Sequence, residues 1–283
     1  MRYYYFLCLV VLVSCASSIQ KVSTVPPQNE VIEKVGDFFP AFQLGTPVLK
    51  IERTLFKEKT VATLALRLPE VTIRYTLDGS EPTQSSQPYG SPITLTKSGQ
   101  LKAKAFHANY QSSETVAATF RNISDALLVE SVAIDVPPHQ NYTGSGDQTL
   151  IDQIKGERNF RTPRWMGFQK TVTATLKLSQ AKTANQLTVS TLSDTDSWIF
   201  PPASIAIYAV NESGKEQLLA EKSIETPTKD SSPMLQFHTL RFTPQTLSVV
   251  KVVVKNYAEI PEWHAGKGTP SWLFLDEMLV ENR

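Results

Sequence analysis

"VTIRYTLDGSEPT", residues 71–83, is the stretch that decides the fold. Its first half alternates apolar with polar residues, the period-two pattern of a β-strand with one buried face. The Asp-Gly pair then predicts a hairpin turn, because Gly tolerates a positive φ and Asp can accept a hydrogen bond from the backbone ahead of it. Asp78 and Glu81 could instead be the two carboxylates of a glycosidase. The turn explains them better, with Asp78 serving the backbone and Glu81 facing solvent.

The same alternation recurs along the chain, at 62–68, 101–105, 172–178 and 250–254. The stretch "SWLFLDEMLVE", residues 271–281, is apolar on both faces and predicts a fully buried strand. Turn-forming residues separate these runs, and no ten-residue helical pattern lies between them. The pattern therefore predicts an all-β protein and excludes parallel βαβ and (β/α)₈ architectures.

The start of the chain predicts export. The apolar run at 3–13, "YYYFLCLVVLV", is shorter than the roughly 20 residues that a membrane span needs, and it has the character of a secretory signal. It ends in "LVSC", which resembles the lipobox of bacterial lipoproteins, where the cysteine becomes the lipid anchor. We expect a signal at 1–14, a lipidated Cys15, and attachment to the cell envelope, most plainly the outer membrane. An ordinary signal peptide with an incidental cysteine is the alternative.

Composition limits the chemistry. The chain has 28 Lys+Arg and 27 Asp+Glu, and it has only two cysteines, both in the predicted signal and anchor. The charge balance, without a basic cluster, argues against nucleic acid as a partner. The cysteine count leaves no disulfide, Cys-ligated metal or cysteine nucleophile in the exported chain. The polar, proline-containing stretch at 15–45 is predicted to be a linker, and the length beyond it suits two domains.

Catalytic signatures are missing from the sequence. It has no P-loop, no G-x-S-x-G elbow and no dinucleotide-binding glycine motif, and its four histidines lack metal-ligand spacing. Two further carboxylate pairs, 194/196 and 276/277, favour structural roles. Neighbouring residues of a regular strand point to opposite faces, so Asp276 and Glu277 could not flank one bond together. We predict that the protein is not an enzyme.

Two resemblances extend this interpretation. Residues 71–83, followed by "QPYGSPITLTKSGQLKAKAF" at 87–106, resemble the C-terminal module of chitobiases and β-hexosaminidases, a small immunoglobulin- or fibronectin-III-like sandwich. The stretches "GERNFRTPRWMGF", "DSWIFPP" and "KNYAEIPEWHAGKGTPSWLFLDEM" resemble the discoidin-like (factor 5/8 type C) module of bacterial family 20 β-N-acetylhexosaminidases. The resemblance implies two tandem β-sandwiches, at 46–121 and 128–283, the second a jelly roll. The catalytic barrel of those enzymes has no counterpart here.

Discoidin-like modules often hold sugars in loops at one end, where aromatic rings stack on the apolar face of a pyranose. Trp263 and His264, in a Pro/Gly-rich loop, are the first candidates here. Trp165 is the second, with Arg158 and Arg164 as hydroxyl donors. Trp198 and Trp272 stand at the start of apolar strands and are expected in the core. Core packing remains the alternative role for every one of these tryptophans.

The resemblance also implies a structural Ca²⁺, with no cofactor required for function. The stretch "LIDQIKG", residues 150–156, stands where such modules commonly show "LxDGxxG". Asp152 and Glu277 are the candidate ligands, although Gln153 replaces the usual glycine. Their oxygen atoms suit Ca²⁺.

Two functions follow as alternatives. The first is a non-catalytic lipoprotein that binds carbohydrate, with GlcNAc- or GalNAc-containing glycans suggested by the enzymes of the resemblance. Its partners would be a glycan and, through the lipid anchor alone, a membrane. The second is a structural spacer or a protein-interaction or adhesion module that binds no sugar. The resemblance by itself does not decide between them, because one fold serves many functions.

Overall fold

Alternating burial along the strands builds two β-sandwiches. The computed structural model describes residues 42–231 and 233–283. Its regular elements there are fifteen β-strands and two 3₁₀ turns, Asp147–Leu150 and Thr195–Ser197. The predicted fold class, all-β with tandem sandwiches, is confirmed. The predicted signal, Cys15 and all but the last residues of the predicted linker lie outside the described residues.

The first sandwich has eight strands. They are β1 (Val48–Ile51), β2 (Leu55–Phe56), β3 (Thr60–Ala65), β4 (Thr72–Thr76), β5 (Gln87–Pro88), β6 (Ile93–Leu95), β7 (Gly99–Phe106) and β8 (Val116–Asn122). One sheet has the order β1-β3-β6, and the other has the order β2-β8-β7-β4-β5. In β4, Ile73 and Tyr75 are buried while their neighbours are not, as the alternation predicts. Their side chains join the core between the two sheets.

The motif after β4 forms a turn, as predicted. Gly79 has φ +82°, and its N–H donates to Gln100 O at 3.1 Å. Asp78 Oδ1 accepts hydrogen bonds from Ser80 N at 3.0 Å and Ser80 Oγ at 2.6 Å, and these bonds lower the pKa of Asp78. The chain returns through a longer loop, 77–86, rather than a two-residue hairpin, before β5 pairs with β4.

Glu81 differs from its prediction. Its carboxylate is half exposed, but it also contacts β7, where it lies 3.6 Å from Lys102 Nζ and 3.8 Å from Lys104 Nζ. The Thr115 hydroxyl donates to it, and that hydrogen bond is the main reason why the pKa of Glu81 is lowered. Neither carboxylate of the motif has the setting of a catalytic acid.

The second sandwich has seven strands. They are β9 (Val129–Ile134), β10 (Met166–Phe168), β11 (Val172–Ser193), β12 (Ser204–Val210), β13 (Glu216–Ser223), β14 (Met234–Lys255) and β15 (Leu273–Glu281). The sheet order is β10-β15-β11-β14-β12-β13, and β9 also pairs with β11. All pairings among these strands are antiparallel.

The two 22-residue strands, β11 and β14, each contribute to both layers of this sandwich. The first part of β11 pairs with β9 and with the end of β14, whereas its second part pairs with β15 and with the start of β14. Register shifts between Lys177 and Lys182 and between Ala184 and Gln186 mark the passage from one layer to the other. Bulges of this kind bend a strand and increase its twist, which lets one pair of strands cover a single core from both sides.

A buried contact joins the two sandwiches, and residues Phe42–Arg283 form one compact unit. Leu55 and Ile123 from the first sandwich pack against Leu279 of β15. Beside them, Arg121 Nη2 lies 2.6 Å from Glu281 Oε2, and the Glu281 side chain has no exposed surface. The predicted domain ranges, 46–121 and 128–283, stay predictions. No helix in the described part of the chain is long and apolar enough to cross a membrane.

Candidate functional site

Aromatic side chains from several loops and from β15 meet in the second sandwich. The ring centroid of Tyr142 lies 5.3 Å from that of Trp272, 4.9 Å from that of Phe274 and 6.0 Å from that of Phe160. Together with Arg161, Ser197 and Ile199, these four residues line a pocket of about 240 Å³. This volume is below the roughly 300–1,000 Å³ of pockets for drug-sized ligands, so it suits one small ring. We call it the aromatic pocket.

Backbone contacts hold the aromatic pocket in place. Tyr142 N donates to His139 O at 2.8 Å, and Gly167 N donates to Tyr142 O at 2.9 Å. A Cβ at Gly167 would come within 2.8 Å of Tyr142 Cβ and 2.9 Å of Phe274 Cζ. Only a glycine at position 167 therefore leaves room for the side chains of Tyr142 and Phe274. The pocket depends on a residue that does not itself line it.

The pocket has an apolar floor and polar groups on its rim. The Arg161 guanidinium lies over the Phe160 ring, 5.2 Å from its centroid. Ser197 Oγ donates to Asp194 Oδ2 at 2.9 Å. In the described part of the chain, the Tyr142 hydroxyl, the Trp272 indole N–H and the Arg161 guanidinium make no hydrogen bond. These donors are therefore free to bind a ligand's hydroxyl or carbonyl oxygens.

A second aromatic group, Trp198, Phe200, Trp263 and His264, lies next to the pocket. Trp198 is 41% exposed, and its backbone is left-handed, with φ 61° and ψ 14°. Such a conformation costs a residue other than glycine about 1–3 kcal/mol. The indole lies against Gly266, where any Cβ would overlap it, and its ring meets the His264 ring edge-on at 5.1 Å.

Trp263 and His264, the first candidates from the sequence, belong to this second group and do not line the pocket. Trp263 is half-buried, and its ring lies 6.1 Å from that of Phe200. Both ring nitrogens of His264 are engaged: Nε2 lies 2.7 Å from Thr195 O, and Nδ1 accepts from Gly266 N at 2.9 Å. His264 thus fixes two loops and has no ring nitrogen left for a sugar hydroxyl. Sugar binding at Trp263 stays a prediction.

Trp165 requires a correction. Its side chain is 0% exposed, its Nε1 donates to Glu157 O at 2.8 Å, and Gly156 lies against the ring. An indole without accessible surface cannot stack on a sugar, so Trp165 is a core residue. The expectation that Trp198 fills the core is also corrected, since Trp198 is exposed. Trp272 does pack against the core, as expected, and its partly buried side chain also lines the pocket.

Arg158 and Arg164, the predicted hydroxyl donors, lie elsewhere. They line a cleft of about 400 Å³ between the sandwiches, together with Glu52 and Arg53 of the first one. The basic residue of the aromatic pocket is instead Arg161. The sequence could have indicated Arg161, because Phe160 and Arg161 in "NFRTPRW" stand in the same loop as the two arginines that were predicted.

The predicted calcium ligands belong to a buried charged cluster. The pairing of Ser190 with Glu277 and of Thr191 with Leu275 leaves Asp276 in a bulge of β15. The strand is therefore irregular at this point, contrary to the regular strand that the sequence analysis assumed. Asp276 Oδ2 accepts from Lys155 Nζ at 2.9 Å and from Gly156 N at 2.6 Å. Neither Asp276 nor Glu277 reaches the surface, so neither can meet a substrate.

Glu277 is the unusual member of this cluster. It is 1% exposed, and neither of its carboxylate oxygens makes a well-formed hydrogen bond in the described part of the chain. Burial, followed by the charges of Asp276 and Asp152, raises the pKa of Glu277 to about 9. Burial also raises the pKa of Asp152. A divalent cation bound by these two carboxylates would supply the positive charge that stabilises their ionised forms. The residues therefore fit a Ca²⁺ ion.

Additional ligands would have to come from the backbone. In the described residues no group of three or more His, Cys, Asp or Glu side chains is placed to hold a metal ion. Gln153, next to Asp152, has φ 61°, the left-handed conformation that the glycine of "LxDGxxG" adopts freely. Gln153 therefore takes the place of that glycine at a cost in backbone strain.

Comparison with known proteins agrees with the first resemblance. Residues 54–117 match the sequence profile of the chitobiase/beta-hexosaminidase C-terminal domain, which confirms the resemblance over that range. No curated protein sequence matches the chain significantly. The match lies within the first sandwich and covers less than half of the chain, so it shows what that sandwich resembles.

Solved structures similar to the chain include several carbohydrate-binding modules. The family 32 module of AlyQ, in complex with 4,5-unsaturated mannuronic acid, is 13% identical, covers 56% of this chain and 98% of its own, and has a TM-score of 0.37. Chitosan-binding module 1 from Paenibacillus sp. IK-5 is 16% identical, covers 55% of this chain and 96% of its own, and has a TM-score of 0.34. A Clostridium perfringens module in complex with GalNAc-beta-1,3-galactose is 14% identical, covers 53% of this chain and 94% of its own, and has a TM-score of 0.33.

Proposed function

We propose that the protein is a non-catalytic carbohydrate-binding protein and that its aromatic pocket holds a sugar ring. The observation that carries this proposal is the pocket itself, in which the half-buried Tyr142, Phe160 and Trp272 rings stand beside donors that make no hydrogen bond in the described part of the chain. A pyranose has an apolar C–H face that packs on aromatic rings and a rim of hydroxyls that need polar partners. The pocket offers both kinds of surface at the scale of one ring.

The ligand class that we propose is a glycan containing GlcNAc or GalNAc. The profile that matches the first sandwich is named after enzymes of N-acetylhexosamine glycans, which supports this choice. The 2-acetamido group adds a methyl that can pack on an aromatic ring and a carbonyl that can accept from Arg161 or Tyr142. The pocket lining in the described chain includes no carboxylate, which supports binding without hydrolysis.

A spacer or adhesion module is the second candidate function. It is consistent with the buried contact of Arg121 with Glu281, which joins the two sandwiches as a rigid spacer would require. A rigid unit also presents a sugar pocket in a fixed direction, so this contact is compatible with both functions. Only sugar binding itself separates them.

A glycan array, followed by calorimetric titration of the chain from Phe42 to Arg283, tests the proposal. We expect retention of N-acetylhexosamine glycans and an affinity at least about tenfold weaker for Trp272→Ala, the equivalent of about 1.4 kcal/mol of lost stacking. Tyr110→Ala, which removes an exposed ring from the first sandwich, should bind like the parent. Melting temperatures of all variants exclude misfolding.

Two results would count against this assignment. If the array retains no glycan, the spacer function is the better explanation. If Trp263→Ala abolishes binding while Trp272→Ala does not, the sugar lies on the second aromatic group, as the sequence first suggested. The first result would remove sugar binding itself, and the second would move it from the aromatic pocket to Trp263.

We further propose that a structural Ca²⁺ lies between Asp152 and Glu277. The buried carboxylate of Glu277, which makes no well-formed hydrogen bond in the described part of the chain, supports it, since an ion there would allow the group to be charged. The ion would hold the Asp152 loop against β15 and would take no part in a reaction. Lys155 Nζ lies 2.9 Å from Asp276 Oδ2 in the same cluster, and burial lowers the pKa of Lys155.

We infer from the "LVSC" stretch that the protein is exported and anchored to the bacterial cell envelope, in the outer membrane, through a lipid on Cys15. Export would bring the pocket to glycans outside the cytoplasm. Labelled palmitate should be incorporated into the wild type and not into Cys15→Ser. Equal labelling of both would show that the anchor is elsewhere.

A further inference from the structure

Trp198 combines two features that seldom occur together, an exposed indole and a left-handed backbone in a residue other than glycine. A strained residue persists only where its surroundings fix it. A tryptophan that merely filled the core would gain most from burial, which this residue does not have. The position therefore requires an explanation other than packing.

The surroundings of Trp198 form a built support for the ring. Gly266 leaves room for the indole, because any Cβ there would overlap Nε1. The His264 ring meets the indole edge-on, with an interplanar angle of 90°. His264 is itself held at both nitrogens, by Thr195 O and by Gly266 N. The indole is thus fixed in position while 41% of its surface faces solvent.

This support is continuous with the aromatic pocket. Ser197 and Ile199, on either side of Trp198, both line the pocket. Trp198 O accepts from Trp272 N at 2.9 Å, so the backbones of the exposed tryptophan and the pocket tryptophan are joined. Asp194 and Ile199 close the short loop between them with two hydrogen bonds, of 2.8 and 3.0 Å. The loop that carries Trp198 therefore borders the aromatic pocket.

From these contacts we propose that Trp198 forms a second stacking subsite, so that the ligand is an oligosaccharide of two or more sugars. This inference rests on the proposed sugar binding in the aromatic pocket and adds the length of the ligand. The pocket, at about 240 Å³, takes one ring. The exposed indole supplies a flat surface for the next ring, and its fixed position means that little side-chain entropy is lost on binding.

Calorimetric titration with GlcNAc and its β-1,4-linked disaccharide and trisaccharide, on the chain from Phe42 to Arg283, tests the subsite. For the wild type we expect the trisaccharide to bind at least about tenfold more tightly than the monosaccharide. Trp198→Ala should lose this gain and keep the affinity for the monosaccharide. Trp272→Ala should weaken binding of all three ligands.

Gly266→Ala provides a second variant that keeps the indole but displaces it. We expect Gly266→Ala, like Trp198→Ala, to lose the tighter binding of the trisaccharide relative to the monosaccharide. Trp198→Phe, which keeps an aromatic face, should retain part of this difference in affinity. Trisaccharide should also protect the wild-type fluorescence from acrylamide quenching, and this protection should fall in Trp198→Ala.

The outcomes separate this inference from the proposed function. If the wild type binds none of the three ligands and the array retains no glycan, the sugar-binding function is wrong, and the subsite fails with it. If the wild type binds the monosaccharide but gains nothing with chain length, or if Trp198→Ala binds the trisaccharide like the parent, the subsite alone is wrong. Trp198 would then be a surface for another kind of partner.

Discussion

At the scale of single residues, His238 shows how burial sets a charge state. The side chain is 6% exposed, and its Nε2 lies 2.9 Å from Thr191 Oγ1. Burial, assisted by the charge of Lys222, lowers the pKa of His238 from 6.5 to about 4. The folded protein therefore keeps this histidine neutral at a pH where the unfolded chain protonates it.

The pH dependence of stability follows from this pKa. The pKa of His238 is lower in the folded protein than in the unfolded chain. Its contribution to the free energy of unfolding is therefore fully present above pH 6.5 and is lost as the pH falls through 4. We expect His238 to contribute a slope of up to about 1.4 kcal/mol per pH unit in this window. Urea unfolding of wild type and His238→Gln at several pH values measures it. An equal slope in both proteins would contradict a buried neutral His238.

The tryptophans show which residue properties the sequence could not reveal. Trp165 was predicted to be accessible from its position beside a loop, and Trp198 was predicted to be buried because it stands at the start of an apolar strand. The structure reverses both. The deciding neighbours are Gly156 under Trp165 and Gly266 under Trp198, the second of them 68 residues away in the chain. Local composition signals a loop, but burial of a large ring depends on the space that a distant residue leaves.

At the scale of elements, the short alternating stretches were predictable and the long strands were not. The runs at 62–68, 101–105 and 250–254 fall largely or wholly within β3, β7 and β14, because alternation is a local property of a half-buried strand. The full 22-residue length of β11 and β14 was missed. Both strands change layers at register shifts, and beyond the shift a new set of residues faces the core.

The bulge of β15 likewise could not be read from alternation, since every residue of this strand is buried. It brings Asp276 and Glu277 into one charged cluster with Asp152 and Lys155. For the same reason a metal ion bound there would connect β15 to the loop at 151–156. The stability of this last strand should therefore depend on the ion.

A melting experiment tests this dependence. Excess Ca²⁺ should stabilise the wild type, by about 2.7 kcal/mol at a concentration one hundred times the dissociation constant, and chelator should remove the effect. Glu277→Gln should not respond to Ca²⁺, because it lacks the carboxylate. Glu130→Gln, changed at an exposed carboxylate, should respond like the wild type. Identical melting of the wild type with Ca²⁺ and with chelator would contradict the site.

At the scale of the whole molecule, the junction determines whether the sandwiches unfold together. Glu281 accepts hydrogen bonds from Arg121, Gln186 and Thr188 in a site without solvent exposure. Arg283 Nε also lies 3.2 Å from Glu281 Oε1, so Glu281 has two cationic partners. Removing one partner of an isolated buried ion pair typically costs about 3–5 kcal/mol, and the second arginine lowers the cost here. The junction therefore couples the stability of the two sandwiches.

Arg121→Met, in which Arg283 still pairs with Glu281, should lose at most about 3–5 kcal/mol of unfolding free energy and should separate the unfolding of the two sandwiches. All four tryptophans lie in the second sandwich, so their fluorescence reports on it alone, whereas far-ultraviolet circular dichroism reports on both. In urea the two signals should coincide for the wild type and diverge for Arg121→Met. Lys177→Met, which breaks an exposed pair with Glu130, should lose less than about 1 kcal/mol. Coincident curves for Arg121→Met would argue against coupling through this pair.

The position of β15 also has a consequence for how the chain folds. This strand lies between β10 and β11 in the sheet, yet it follows every other strand in chain order. During synthesis the core of the second sandwich therefore stays incomplete until residues 273–281 have left the ribosome. Strand pairing between such distant segments also forms slowly, because the entropy of closing the long loop is lost before the stabilising contacts are made. Until then the apolar faces of β11 and β14 need protection from other chains.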